Sequence, residues 1–440
     1  MTILQNSDVP LEHSNLTTEK FIFLAPWKVI PNEPRHNNWH YSLYSEAPSL
    51  IQYIGIIDKS TPRWIAPFFP LNQINRRLSY LSVRKILTLR GVIRKSIRRC
   101  ENQSTCKASL VIFEGNLFWA YLLAFLTFVL SDTRALCNLW PSSKYHTLIT
   151  QKGLKSLFLR INLAILSRCS NLQLAFDTKQ LVDFVEEVID QKFRPFPVPS
   201  SFGYRFENRT QVIHKRVLVL CRNYNLNKLF LNLRYSCPKC EFHFEGGAIE
   251  KFFLDLNSVA TNIRFNREAV PIESYEKYID SFDHCILLYK PIAENSGQFS
   301  SFCASGKLLD VLLKRIPVSL PSAGIEWVSI ASEWGEYHKY DWFDDSSINL
   351  AFNHPKFSGK WSEIEPTFTP KRSLEEIDRI LWDQSENLDG VKTNSHSHFK
   401  FLTICVLLIY SILGGIINLT ASSYNFVQKL GYVLKRSITS

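Results

Sequence analysis

The sequence predicts an α/β protein with two doubly wound lobes and a C-terminal membrane-spanning helix. Short apolar runs typical of buried strands alternate with helical patterns along most of the 440 residues. Three prolines between Arg194 and Ser200 interrupt this alternation, which starts again at Val217. Because doubly wound sheets bind ligands at the carboxyl ends of their strands, we expect two lobes with a cleft between them.

The first lobe is predicted over residues 21–200, after a polar leader over residues 1–20. Buried strands are expected over residues 21–25, 53–57, 108–113 and 172–177, and residues 26–39 are predicted to form a loop. Residues 117–130 are strongly apolar but too few to span a bilayer, so we expect a helix buried in the core.

A basic segment lies between Arg76 and Arg99, which holds nine Lys and Arg residues and no acid. Interleaved apolar residues predict an amphipathic helix. Its basic side chains are candidates for contact with an anionic membrane or a phosphate-bearing acceptor. The alternative is a helix that packs its apolar face on the sheet and turns its charges to water. Aromatic residues are sparse here, so nucleic-acid binding is not expected. The candidate residues are Arg84, Lys85, Arg94 and Lys95.

The charge and the cysteines set the expected partners and compartment. The formal net charge of +11 favours anionic partners, phosphate-bearing substrates among them. The ten cysteines are scattered, and Cys237 and Cys240 form the only CxxC. A zinc site needs a second such pair nearby, so we expect reduced thiols in a cytosolic protein.

The second lobe is predicted over residues 201–381, and its most informative stretch runs from Asp283 to Pro321. An apolar strand over residues 285–289 leads into a serine-rich loop, and a helix opens at Ser305-Gly306. A further strand begins at Ile316. Strand, helix and strand make a βαβ unit, which places ligands at the helix amino terminus.

This stretch resembles the donor-sugar segment of glycosyltransferases with the GT-B fold, in the retaining, family-four-like (group 1) branch. The resemblance implies two Rossmann-like lobes and a nucleotide-sugar donor. It implies that Ser305, Gly306 and Lys307 meet the diphosphate and that Asp310 holds the ribose. Phe302 stands where the family has its first acidic residue, and Glu294 in the preceding loop is the candidate substitute.

The resemblance extends to both sides of the cleft. Arg222 and Lys228 correspond to the family's R-x4-K pair, with one extra residue between them, and would neutralise the diphosphate. Glu114 ends a first-lobe strand and is the candidate acceptor-side base, with a solvent-exposed carboxylate as the alternative. Lys307 would stabilise charge during transfer. GT-B enzymes generally need no metal, so neither a metal nor a cofactor is expected.

The C-terminal part is predicted to be a membrane anchor. A polar linker over residues 382–400 precedes an uncharged apolar stretch over residues 401–419, which is long enough to span the hydrocarbon core. A basic tail over residues 420–440 follows. The alternative is a buried helix of a soluble protein. With the anchor, the catalytic lobes are expected on the cytoplasmic side.

Together these features predict a glycosyltransferase for polysaccharide biosynthesis at a membrane. It would move a sugar from a nucleotide-diphosphate donor to a glycan or a polyprenyl-phosphate-linked acceptor. Two alternatives stay open. A sugar-nucleotide epimerase of the same fold would act on the nucleotide sugar alone, and a catalytically silent, membrane-bound scaffold is favoured by Phe302.

Overall fold

Two parallel β-sheets form the frame of the protein in a computed structural model. The structure describes the following residues: 20–28, 37–57, 65–70, 83–98, 107–130, 133–139, 145, 148–197, 216–221, 237–245, 262–266, 270, 272–288, 306–314, 316–321, 337–341, 344, 346–347, 369–382, 403–407 and 409.

The first sheet has seven parallel strands in the order β3-β2-β1-β4-β5-β6-β7. Along β1 and β4, alternate apolar side chains enter two different hydrophobic cores, one on each face of the sheet. The strands are β1 (Lys20–Lys28), β2 (Ile51–Ile57), β3 (Ile65–Pro70), β4 (Ala108–Gly115), β5 (Thr133–Leu139), β6 (Leu172–Phe176) and β7 (Arg194–Pro195).

Within the first lobe, five described helices lie against this sheet. Four of them contribute to the core on one face, whereas the first lies on the other. Residues 26–39 were predicted to be a loop, and this prediction is wrong at both ends, because β1 continues to Lys28 and α1 begins at Asn37. The helices are α1 (Asn37–Glu46), α2 (Val83–Arg98), α3 (Leu117–Val129), α4 (Leu154–Leu166) and α5 (Lys179–Ile189).

Helix α3 is the buried helix that the apolar stretch predicted. Its amide nitrogen at Trp119 donates to the Oδ1 of Asn116, which caps the amino terminus. Nine of its residues are buried, on every side of the helix. A helix that is apolar all round is stable only inside a core, and α3 packs between β4, β5, β6 and α4.

The second sheet has six parallel strands in the order β10-β9-β8-β11-β12-β13. The predicted βαβ unit is present as β11, α7 and β12. The elements are β8 (Arg216–Cys221), β9 (Glu241–Glu245), β10 (Ile263–Asn266), α6 (Ile272–Asp280), β11 (His284–Leu288), α7 (Gly306–Leu313), β12 (Val318–Pro321) and β13 (Tyr337–Tyr340).

The last long helix, α8 (Pro370–Trp382), returns to the first sheet and contacts α1 and β5. The indole nitrogen of Trp382 donates to the hydroxyl of Ser109 on β4 at 2.9 Å. The guanidinium of Arg134 lies 4.6 Å from the centre of the Trp382 ring, and it donates to the carbonyl oxygen of Leu381. The chain therefore crosses back to the first sheet after it has formed the second.

Along the parts of the chain that the structure describes, no helix combines the length and apolar character needed to cross a bilayer. Of the predicted membrane segment, residues 403–407 and 409 are described. Thr403 and Leu407 are buried, and Leu407 belongs to the same hydrophobic core as α2, α3, α4 and α5.

Candidate active site

Each sheet has one point at which the order of its strands reverses. In the first sheet this point lies between β1 and β4, and in the second between β8 and β11. In doubly wound sheets, ligands bind outside the carboxyl ends of the strands at such a point. The carboxyl ends of the strands at these two points are therefore the expected positions for ligands. The predicted donor segment lies at this end of the second sheet, and Glu114 lies at this end of the first.

On the donor side, helix α7 begins at Gly306, and β11 is the described strand that precedes it in the chain. Its first backbone amides have no partner within the helix, so the amino terminus suits a phosphate group. Lys307 is the second residue of this helix. The other predicted donor contacts, Arg222, Lys228, Glu294 and Ser305, lie outside the described residues, as does Phe302.

Asp310 lies on the inner side of α7 and is buried. The hydroxyl of Tyr275 on α6 donates to its Oδ2 at 3.2 Å. Burial and the neighbouring carboxylate both raise the pKa of Tyr275 well above its usual value, so the phenol keeps its proton and acts as a donor. This hydrogen bond fixes the orientation of Asp310, the residue predicted to bind the ribose. Asp310 lies about one turn from the amino terminus of α7.

An ion-pair cluster joins α6 to the residue that follows α7. The ammonium of Lys314 lies 2.6 Å from the Oε1 of Glu276 and 3.1 Å from the Oδ2 of Asp280. The Lys314 side chain is almost completely buried, whereas the two carboxylates are partly exposed, so water screens the pair. Glu276 and Asp280 are four residues apart on one face of α6, so both carboxylates reach the same ammonium.

On the acceptor side, Glu114 is the last residue but one of β4, at the edge where the first sheet reverses. Gly115 follows it. A Cβ atom at Gly115 would lie 2.3 Å from the sulphur of Cys137 and 3.0 Å from the carbonyl oxygen of Asn138. Only glycine therefore allows β4 to run close to β5 directly beside Glu114.

A polar pair that the sequence reasoning missed lies at the same edge. The side-chain amide of Asn138, at the end of β5, donates to the carbonyl oxygen of Phe113 and to the Oδ1 of Asp177, both at 2.8 Å. Asn138 is buried, whereas Asp177 is partly exposed after the last residue of β6. Asp177 could have been predicted from the sequence, because it directly follows a buried strand. The same pattern identified Glu114 as a candidate.

A second missed residue is His40 on α1. Its buried imidazole lies edge-on to the rings of Tyr53 and Phe113, with both ring centres 4.9 Å away. Phe113 directly precedes Glu114, so a histidine lies beside the predicted acceptor edge. Histidine is the side chain that most often transfers protons in enzyme active sites. Because residues 26–39 were predicted to be a loop, nothing in the sequence connected His40 with the sheet.

The described part of the basic segment forms the amphipathic helix α2. Its apolar face is buried in the core, with Ile86, Leu89 and Ile93 fully or almost fully covered. Arg94 and Lys95 are exposed on the opposite side. Arg84 and Lys85 lie in the first turn of the same helix, and their side chains are outside the described part of the structure.

Among the described residues, no group of three His, Cys, Asp or Glu side chains is arranged to hold a metal ion. Asp341 and Asp344 lie just after β13, and Asp344 has a local structural role. The carboxylate of Asp344 accepts hydrogen bonds from the backbone amide and hydroxyl of Ser346, at 2.9 and 2.8 Å. These bonds lower the pKa of Asp344.

The chain was compared with known proteins in three ways. No family model matches it, and no curated protein matches it. Among solved structures it is similar to AviGT4, a glycosyltransferase involved in avilamycin A biosynthesis, with 10% identity and a TM-score of 0.46 over 82% of this chain and 98% of that one.

Two further solved structures are similar at comparable levels. HepE from Anabaena, in complex with UDP, is 9% identical with a TM-score of 0.43, over 82% of this chain and 95% of that one. A UDP-forming α,α-trehalose-phosphate synthase from Burkholderia xenovorans, in complex with glucose-6-phosphate, is 9% identical with a TM-score of 0.44, over 82% and 96%. These structure neighbours are glycosyltransferases with the GT-B fold.

Proposed function

We propose that this protein is a glycosyltransferase that moves a sugar from a nucleotide-diphosphate donor to a glycan or a polyprenyl-phosphate-linked acceptor. The observation that carries the proposal is the β11–α7–β12 unit. It lies where the second sheet reverses its strand order, and its helix amino terminus follows the β11 loop.

On the donor side, positive groups neutralise the diphosphate as it leaves. The backbone amides at Ser305 and Gly306 and the charge of Lys307 bind the phosphates, and Arg222 and Lys228 assist from the loop after β8. Asp310, held by Tyr275, accepts the ribose hydroxyls. Because a helix terminus and cationic side chains supply the positive charge, the proposed reaction needs no metal ion and no cofactor.

The reaction breaks the bond between the sugar's anomeric carbon and the diphosphate oxygen and forms a bond from that carbon to an acceptor hydroxyl or phosphate. A hydroxyl acceptor loses its proton to Glu114 on the edge of the first sheet. The family has an acidic residue at the position of Phe302 that contacts the sugar. In this protein Glu294 makes that contact instead. The negative charge grows on the departing diphosphate, so the basic groups act more strongly in the transition state than in the ground state.

The test is release of the nucleoside diphosphate from UDP-, GDP- and ADP-hexoses, with water and then with polyprenyl phosphate as the acceptor. Lys307→Ala should lower the turnover by at least about tenfold, because it removes a group that stabilises developing charge. Lys277→Ala, which removes an exposed lysine from α6, is the matched control. Normal turnover in Lys307→Ala would exclude the proposed role.

Phe302 favours a second candidate, the membrane-bound scaffold that keeps the fold without the chemistry. A scaffold releases no diphosphate from any donor. A sugar-nucleotide epimerase is recognised by its product, since it converts the sugar and leaves the bond to the nucleotide intact.

We also place the protein at a membrane, with its lobes on the cytoplasmic side. The support is the uncharged stretch over residues 401–419 together with the basic helix α2, whose residues Arg84, Lys85, Arg94 and Lys95 suit an anionic lipid surface. The full chain should stay in the membrane fraction after an alkaline wash. A chain that ends at Lys400 should be released by the same wash.

A further inference from the structure

Helix α4 carries large apolar side chains on its solvent side. Leu154, Leu157, Phe158 and Ile161 are 84%, 55%, 57% and 48% exposed. Their spacing of three, four and seven residues places them on one face of the helix. We call these four residues the apolar stripe.

The apolar stripe is additional to the face by which α4 packs. Leu159, Leu163 and Leu166 are buried in the core of the first lobe, and Asn162 accepts a hydrogen bond from the hydroxyl of Tyr121 on α3 at 2.8 Å. The helix is therefore already anchored without the stripe. A surface helix normally has one apolar face, and a contiguous exposed patch indicates a binding partner.

The charges around the apolar stripe define the chemistry of that partner. Lys152, Lys155 and Arg168 are exposed at the two ends of α4. The sequence holds no Asp or Glu from Thr133 to Phe176. On α4 itself the stripe is bordered by positive charge, whereas the neighbouring helix α5 carries Asp183 and Glu187 on its exposed side. An apolar stripe with basic ends is complementary to a surface that is apolar inside and negative outside.

Helix α2 lies on the same face of the first sheet. It contributes to the same core as α4 and also lacks acidic residues. Its exposed side carries Leu87, which is 53% exposed, with Arg94 and Lys95. Two helices of one face thus repeat the same combination of exposed leucine and basic side chains.

We propose that α4 docks on an anionic lipid bilayer, with the apolar stripe between the lipid headgroups and Lys152, Lys155 and Arg168 on the lipid phosphates. A second copy of the chain fits less well, because two copies would bring like charges together. The proposal extends the membrane location given above to a surface on the folded first lobe, and it does not depend on sugar transfer.

The test is co-flotation of the chain that ends at Lys400, in which the segment over residues 401–419 cannot hold the protein to the vesicles, and the full chain is measured beside it. The liposomes are phosphatidylcholine, alone or mixed with phosphatidylglycerol. The wild type should bind the anionic vesicles far better than the neutral ones. The double variant Leu157→Ser/Phe158→Ser should weaken binding by at least about tenfold, since burial of these two side chains is lost. Both positions are exposed, so the fold should be kept.

The contribution of the basic side chains is tested with two double variants, one at the stripe and one as a control. Lys152→Gln/Lys155→Gln should lower the affinity for anionic vesicles by about fivefold for each lysine. Lys179→Gln/Lys192→Gln removes two exposed charges at the start of α5 and just after its end, where they pair with Asp183 and Glu186, and should leave the affinity close to that of the wild type. Higher salt should weaken the wild type more than the Lys152/Lys155 variant.

Two outcomes overturn the proposal. If the stripe variant floats with anionic vesicles as the wild type does, the lipid contact lies elsewhere, in the segment over residues 401–419 or on α2. If the wild type self-associates in sedimentation without lipid and the stripe variant does not, the stripe binds a second copy. Nucleotide binding by the same variants reports separately on the proposed enzyme, so the two failures are distinguishable.

Discussion

At the residue scale, the contact between Tyr275 and Asp310 connects the fold with the proposed chemistry. The sequence places Asp310 early in a helix after the donor loop, and the structure confirms that helix. The partner hydroxyl could not be predicted, because Tyr275 lies 35 positions earlier, and the two side chains meet only when α6 packs beside α7. Local periodicity predicts each helix separately but contains no information on this pairing.

Replacing Tyr275 with phenylalanine should lower the free energy of unfolding by about 1–3 kcal/mol, since a buried carboxylate loses a donor. Denaturant unfolding measures this, and a double-mutant cycle with Asp310→Asn isolates the coupling between the two side chains. Tyr121→Phe is the comparison, because its hydroxyl donates to the neutral amide oxygen of Asn162 and its loss should cost about 1 kcal/mol. Additivity within the cycle would contradict the contact.

His243 on β9 gives the stability a dependence on pH. Burial, followed by the nearby charge of Arg216, lowers the pKa of this imidazole below its ordinary value. The unfolded chain then binds more protons than the folded one below about pH 6.5. The contribution of neutral His243 is therefore present above that pH and is lost as the pH falls through the depressed pKa.

His243→Gln should reduce the loss of stability between about pH 6.5 and pH 5, since glutamine takes up no proton in that range. The measurement is the free energy of unfolding of variant and wild type at several pH values in this window. Equal slopes for the two proteins would show that another group causes the loss.

At the scale of helices and strands, those with a clear apolar periodicity were predicted from the sequence. Those that depend on contacts with distant parts of the chain were not. The βαβ unit β11–α7–β12 was predicted because each part is apolar with its own period and a serine-rich loop separates the first two. Helix α1 was missed. It has a weak apolar face, and α8, from the far end of the chain, packs against it.

Replacing the buried Ile377 of α8 by alanine should lower the free energy of unfolding by about 2–5 kcal/mol, through lost burial and the cavity left against the first lobe. Arg379→Ala on the exposed side of the same helix should change it by less than about 0.5 kcal/mol. Denaturant titration of both variants checks this. Similar values for the two would show that α8 is not packed as described.

At the scale of the whole molecule, two doubly wound sheets were predictable because two runs of strand and helix are separated by a proline-rich break. Both observed sheets are fully parallel, and each reverses its strand order once. The return of α8 to the first sheet could not be predicted, since its acids and apolar residues suit any partner. The candidate site shows the same contrast between local sequence patterns and contacts from distant parts of the chain. The sequence led to Gly306, Lys307, Asp310 and Glu114, and it overlooked His40 and the Asn138–Asp177 pair.

The central claim is that the edge of the second sheet binds a nucleoside diphosphate sugar. The most direct test is the thermal stability of the protein against UDP, GDP, ADP, CMP and their sugars. One nucleoside diphosphate and its sugar should stabilise the protein by about 2.7 kcal/mol at a hundredfold excess over the dissociation constant. Asp310→Ala should lose that effect. Stabilisation by none of these ligands would contradict the claim and favour the catalytically silent scaffold.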